Sequence, residues 1–458
     1  MYLRSKSTTL IDMLTAFGRD TSPSLLMRLM LLILIYTLAA CSPLTGPTTP
    51  TVTPTPSPHP AADAITQCPA NLAGMANCYT PYDLRVAYDV EQLTRQGLTG
   101  KGQTIVDIVS YGSPTLQQDM DAFDKQFDLP PITIQVLAPL GTVPFDPHNK
   151  DMIGWAEETE LDVQIMHAIA PGAHIIVMTS PVDETEGTIG LPQFLQLEQY
   201  AVAHHLGQIF SQSYVASEAT LSDSASQKFI QQYTAFYQQI TTKDGWTIVN
   251  GSGDNGATDW ANLNMTTLAN KPTVNFPADV PWVTAVGGTS LFQQGSGYNE
   301  IAWSGSGGGL SAFFSEPDFQ RSLPASVQTL LKGRRGIPDV AADADPNTGM
   351  AFDFAGQWTT TGGTSASTPL WAALIAIADQ MAGHPLGFIN PGLYKVEASS
   401  PGDFRDIIKG NNTVDTSNGT NGTLHVQGFN AQPGWDAVTG CGAPLASRLI
   451  PDLIAALQ

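Results

Sequence analysis

Positive charge is scarce in this sequence. Its 458 residues carry 20 Lys and Arg against 41 Asp and Glu, a formal net charge of −21 at pH 7. A surface of that sign repels phosphates, which excludes nucleic acid as a partner. Charged residues of both signs amount to only 13%, so much of the surface must be Ser, Thr, Asn, Gln and Gly. Such a protein loses its self-repulsion as its carboxylates protonate, which suits acidic surroundings. Long apolar runs are scarce too. One stands near the N-terminus, "LMLLILIYTLAA" after Met27-Arg28, and it has the length of a signal-peptide core rather than of a membrane span.

That run ends in "LAAC", Leu38 to Cys41, the pattern of a bacterial lipobox, which implies cleavage before Cys41 and a lipid on its thiol. Residues 1–41 are therefore read as a lipoprotein-type signal region, with Met27 as an alternative start. Residues 42–67 follow as a Pro/Thr-rich tether, "SPLTGPTTPTVTPTPSPHP" at its heart, which cannot bury a core and should stay extended. An exported, cell-surface or extracellular protein meets an oxidising compartment. Of its four cysteines, Cys68 and Cys78 are close enough to staple a local loop, and Cys441 has no obvious partner.

From residue 68 to 458 the composition is globular, without a second linker or a repeat, and is read as one domain. The runs 104–109, 174–179, 208–213 and 246–252 are apolar and β-branched without polar alternation, as buried strands are. Residues 155–169, 191–205 and 222–241 between them read as helices. This alternation predicts an α/β fold, a mostly parallel sheet with helices on both faces. Active sites of such folds gather at the carboxyl ends of the strands.

Three motifs could carry chemistry there. In "GGTSASTPLW" the two glycines permit close backbone approach, and Pro369 is placed in the first turn of the helix that follows, which sets Ser365 at a helix N-terminus. Such a serine is also an ordinary N-cap. A nucleophilic serine needs a base, but none of the eight histidines sits in the His-Gly-Thr-His helix start of subtilisin-like enzymes. Asp107, on the first strand, thus lacks the partner it would have there and reads as a strand-end or a buried, hydrogen-bonded aspartate; His167 reads as packed. In "WAEETELDVQIMHAIAPGAH", Glu158 and Asp162 stand at i, i+4 on one helix face, either a solvated acidic face or a pair sharing a proton. In "NGSGDNGATDW", Asp254 follows a buried strand directly, as a turn aspartate or a site residue.

Taken together, Glu158-x-x-x-Asp162, Ser-Gly-Asp254-x-Gly and Gly-Thr-Ser365-x-x-x-Pro resemble, in order and spacing, the sedolisin family of serine-carboxyl peptidases. The likeness extends through "YTPYDLRVAYDV", "FPADVPWVTAVGGTSL", "WSGSGGGLSAFFSEPDFQ" and "GIPDVAADADPNTG", covering the chain from about residue 78. The resemblance implies a subtilisin-like fold and an acyl-enzyme on Ser365. It makes Glu158 the general base, Asp162 the group behind that base, and Asp254 the oxyanion donor. An aspartate can donate to an oxyanion only while protonated, and Glu158 must be ionised, so an acidic optimum is expected. The resemblance also implies one structural Ca2+, held by Asp406, Asp436 and the carbonyls of Ile407, Gln432 and Gly434, a hard-oxygen set suited to that ion. Gln432 stands where the family usually has glycine.

Two departures accompany the likeness. No long propeptide is evident between Cys41 and Cys68, and "SQSYVASE" replaces the family's Ser-x-Ser-Trp-Gly, so Tyr214 and Val215 should alter the cleft. The expected function is an acid-active endopeptidase acting on polypeptides as a monomer, touching a membrane only through a lipid on Cys41. The alternatives are a tripeptidyl exopeptidase and an inactive peptide-binding homologue.

Overall fold

The strands read from the sequence form the middle of a parallel sheet. The computed structural model describes residues 66–72, 75, 77–417 and 422–458; the signal region, Cys41 and nearly all of the tether lie outside them. The sheet contains β1 (Thr104–Ser110), β2 (Gln135–Leu137), β3 (His174–Ser180), β4 (Ile209–Gln212), β5 (Thr247–Gly251), β6 (Thr284–Gln294), β7 (Gly297–Ala302) and β8 (Val340–Asp343). Their order is β8-β6-β5-β4-β1-β3-β2, all parallel, with β7 antiparallel to β6 at the side. Strands later in the chain than β3 lie on one side of β1, and β2 and β3 on the other. The strand order reverses beside β1, where α/β folds open a crevice at the carboxyl ends.

Helices cover both faces: α1 (Leu116–Phe127), α2 (Lys150–Ile169), α3 (Leu191–Ala203), α4 (Ser224–Thr242) and α5 (Thr364–Ala382). Side chains of a strand alternate between faces, and β1 "TIVDIVS" sends them to two different cores. Ile105 and Val109 pack with α2 and α5, whereas Val106 and Ile108 pack with α3 and α4. By the same alternation Asp107, between Val106 and Ile108, faces the α2 and α5 side. Helix α5 is buried almost throughout its first four turns, which explains why its sequence is apolar all round rather than striped. Trp371 Nε1 donates to the Ala341 carbonyl of β8 at 3.0 Å and pins it to the sheet.

The helix starts differ from the sequence reading at two informative places. Helix α2 begins at Lys150, five residues early, because the Asn149 side chain accepts from the backbone N–H groups of Asp151 and Met152 and so satisfies donors a helix start leaves open. Helix α5 begins at Thr364 with Gly363 as its cap at φ +97°. Pro369 is therefore inside the helix rather than in its first turn. Proline has no N–H to bond the carbonyl four residues back, which is that of Ser365; the Ser213 hydroxyl stands 3.5 Å from this oxygen. Cys68 and Cys78 form a disulfide, and Cys441 is a free, buried thiol.

Candidate active site

Loops following β3, β4 and β5, together with the starts of α2 and α5, enclose a cleft of about 420 Å³, within the usual range for ligand sites. Glu158, Asp254 and Ser365 all line it, and among the described residues no histidine does. Residues over two hundred apart in sequence thus meet at the sheet's carboxyl edge.

Glu158 sits one turn before Asp162 on the inner side of α2. Burial pushes the Glu158 carboxyl up to about 8, against the opposing pull of the Ser365 hydroxyl. Its Oε1 is buried without a hydrogen-bond partner, as suits an atom whose partner is a proton in transit. Asp162 is wholly buried and accepts the Ser213 hydroxyl on Oδ1 at 2.8 Å. Burial, with the charges of Asp107 and Glu158 beside it, drives the Asp162 carboxyl well above the usual range.

Asp107 is a correction to the sequence reading. It is buried, but it is not hydrogen-bonded as an ionised carboxylate: both oxygens lack a donor. It faces Asp162 instead, and burial and the Glu158 charge raise it well above the usual range. A proton on Asp162 gives Asp107 the donor it otherwise lacks, so three carboxyls share fewer than three charges. Sequence reasoning did not place Ser213 in this group, and it noted Asp107 without its partner. The signal was available in the β1 alternation, which aims Asp107 at α2, but the partner comes from another element and no periodicity reveals it.

Asp254 lies in the turn after β5. Its Oδ1 accepts the Thr364 backbone N–H at 2.7 Å and the Thr364 hydroxyl at 3.0 Å. It therefore closes the N-terminus of α5 in place of a side-chain cap. Those donors and the helix dipole favour its anion, yet its depth in the molecule dominates and raises its carboxyl. The residue is deep but its surface is open to the cleft, where a substrate oxygen would arrive. Gly363 makes the approach possible: a Cβ there would stand 2.5 Å from Asp254 Oδ2.

Tyr214 lies close to the cleft, but its ring turns into the core, 4% exposed, with its hydroxyl 2.8 Å from Glu198 Oε1. Of the two departures in "SQSYVASE", only the side chain of Val215 is left to narrow the cleft. His167 is packed as expected, against Asp124 at 3.1 Å.

The second expected site brings Asp406 and Asp436 to one turn. Asp406 accepts from the Gly434 N–H at 3.2 Å, and Asp436 from Gln432 N–H at 3.0 Å and from Val438 and Thr439. Among the described residues the carbonyls of Ile407, Gln432 and Gly434 accept no hydrogen bond. No group of three or more His, Cys, Asp or Glu side chains suited to a metal occurs among the described residues.

A parallel sheet with a serine at a helix start and carboxyls in place of histidine defines the class of serine-carboxyl peptidase folds. No family model matches the chain. Kumamolisin from Bacillus sp. (strain MN-32) is 32% identical over 390 residues, 82% of this chain and 64% of that protein. Human tripeptidyl-peptidase 1 is 33% identical over 312 residues, 65% of this chain. The chain thus spans 64% and 52% of the length of these two relatives. The solved structure of Pseudomonas sedolisin, a serine-carboxyl proteinase complexed with two molecules of pseudo-iodotyrostatin, superposes with a TM-score of 0.67 at 26% identity, covering 82% of this chain and 98% of that one. In sequence and in fold the chain is similar to members of the sedolisin family.

Proposed function

We propose that this chain is an acid-active serine-carboxyl endopeptidase, hydrolysing peptide bonds through an acyl-enzyme on Ser365. The observation that carries the reading is the convergence of Ser365, Glu158 and Asp254 in one cleft that no histidine enters. Ser365 Oγ attacks the scissile carbonyl carbon while Glu158 takes the hydroxyl proton. The developing oxyanion is met by a protonated Asp254, helped by the N-terminus of α5. Collapse breaks the C–N bond and Glu158 returns its proton to the leaving amine. Water then repeats the sequence on the ester, releasing the acid and Ser365. Asp162 and Asp107 keep Glu158 in place and buffer its charge.

A second reading, release of tripeptides from a free N-terminus, is favoured by the 33% identity to tripeptidyl-peptidase 1. Denatured casein, assayed from about pH 2 to about pH 8 beside Ser365→Ala, tests both. Internal fragments from the parent and none from the mutant support the endopeptidase. Ladders stepping by three residues support the exopeptidase, and binding of peptide without any cleavage supports the inactive homologue.

The turn at 432–436 suits a Ca2+ ion in its donor set: two carboxylates, Asp406 and Asp436, and three carbonyls without partners, those of Ile407, Gln432 and Gly434. A bound ion would neutralise the exposed Asp406 and the buried Asp436 together and tie the 405–407 segment to the turn. Chelation is expected to lower the thermal unfolding midpoint, and an unchanged midpoint would remove the ion from the reading. The "LAAC" motif supports a lipid on Cys41, and the Cys68–Cys78 disulfide agrees with an exported location.

A further inference from the structure

The wall of the cleft formed by residues 181–190, which follows β3, contains a carboxyl that the proposed chemistry does not use. Glu184 is only 7% exposed, lines the cleft, and its Oε1 is buried without a partner. Its two acidic neighbours are satisfied. Asp183 accepts from Trp155 Nε1 at 2.7 Å, and Glu186 accepts from Ser217 N–H at 3.0 Å and the Thr220 hydroxyl at 2.7 Å. No hydrogen bond among the described residues reaches the Glu184 carboxyl.

The position is rigidly built rather than accidental. The Glu184 N–H donates to Ser110 Oγ at the end of β1 at 3.1 Å. Gly190, at φ +80°, folds back so closely that a Cβ on it would stand 2.5 Å from both the Asp183 carbonyl oxygen and Glu184 Cα. The loop therefore holds an unpaired acid at a set place, and leaving a buried polar group unpaired costs stability unless a ligand completes it. The rest of the lining says what sign the ligand has. Among the described residues, seven acidic residues line the cleft against one cation, Lys150.

We propose that Glu184 forms a subsite for a positively charged group of the substrate, either a Lys or Arg side chain or the free α-ammonium of a peptide. This deepens the peptidase reading and rests on it only for the identity of the ligand as a peptide. A cation seated there supplies the donor that Glu184 lacks and offsets the repulsion from Asp183 and Glu186. Asp151 and Lys150 at the start of α2 and Asp259 beyond β5 also face this space. Burial and the charges of Glu186 and Asp183 raise the Glu184 carboxyl, so the bound cation draws it back toward ionisation. The preference for a cation should sharpen as pH rises from about 3 to about 6.

The test uses the full chain carrying Ser365→Ala, so that binding is read apart from turnover. Three peptides are compared by calorimetry or fluorescence: one acetylated with a single Lys, the same with norleucine in its place, and the norleucine peptide with a free N-terminus. One of the two cationic peptides should bind about tenfold more tightly than the neutral one, and Glu184→Gln should bring that ratio close to one. Glu186→Gln, whose carboxyl is already partnered, should leave most of the ratio intact. Tighter binding of the Lys peptide assigns a side-chain subsite, and tighter binding of the free N-terminus assigns an amino-terminal one. Equal affinities for all three peptides overturn the proposal, as does a preference that survives Glu184→Gln. Cation-selective binding by a parent chain that cleaves none of the peptides would retain the subsite and discard the peptidase.

Discussion

At the scale of single residues, the site turns on two carboxyls that must be in opposite states. Glu158 acts only when ionised and burial lifts it to about 8; Asp254 donates only when protonated, and it too is raised by burial. The competent form is therefore Glu158 ionised beside neutral Asp254, and the two carboxyls set opposite limbs of the pH dependence. The rate should rise with pH as Glu158 ionises and fall as Asp254 loses its proton, giving a bell. Asp254→Asn replaces the titrating donor with a permanent one. Its kcat/KM should be lower by about a hundredfold but should climb with pH and level off above about 8 instead of falling. A retained alkaline limb in the pH profile would show that Asp254 is not its source. Ser365, Glu158, Asp162 and Asp254 were singled out from the sequence through the family resemblance, and Ser365, Glu158 and Asp254 line one cleft. Asp107 was seen but misread, because its lack of a donor depends on what α2 places opposite it.

At the scale of elements, Ser365, the proposed nucleophile, is positioned by a helix start that no side chain of its own caps. Gly363 is the cap, and Asp254, from the turn after β5, accepts the first helical N–H. This links two segments through one contact, so the geometry of nucleophile and oxyanion donor is set together. Gly363→Ala places a methyl 2.5 Å from Asp254 Oδ2 at a φ of +97° that alanine resists. The expected outcome is a protein with unchanged far-UV circular dichroism and kcat/KM reduced by about a hundredfold or more. Full activity would mean that Asp254 can retreat without loss. The four strands and three helices named from the sequence were legible to within about five residues, because β-branched runs and helical periodicity are local. The start of α5 was not, since its cap comes from elsewhere in the chain.

At the scale of the whole molecule, burial of carboxyls is the dominant electrostatic feature. Glu158 and Glu160 are lifted to about 8, Glu186, Glu198 and Asp379 to about 7, and Asp107, Asp162, Glu184 and Asp343 also lie well above their usual range. Unfolded, each titrates near 4, at about 3.9 to 4.3. Between those values the folded chain binds more protons than the unfolded one, so stability falls as pH rises. Stability from these groups is fully present below about pH 4 and is lost as pH climbs toward 7 and 8. The net charge of −21 at pH 7 adds self-repulsion over the same range. The thermal unfolding midpoint should accordingly be higher at about pH 5 than at about pH 8, measured by calorimetry in matched ionic strength. A higher midpoint at the alkaline end would refute this account.

The sequence by itself determined the central strands and helices, whose patterns are local, and through the family resemblance it singled out the candidate reacting groups. It also determined the acidic character, which is a count. Only the tertiary structure decided which carboxyls lose their solvent and which of those find a donor. Asp107, Glu184 and Asp254 are each one acidic letter in an ordinary local setting. One faces a second aspartate across a strand and helix, one is left unpaired in the cleft wall, and one caps a helix more than a hundred residues later in the chain. Desolvation and pairing depend on what other segments bring within a few ångströms, and chain order does not contain that information until the sheet has assembled.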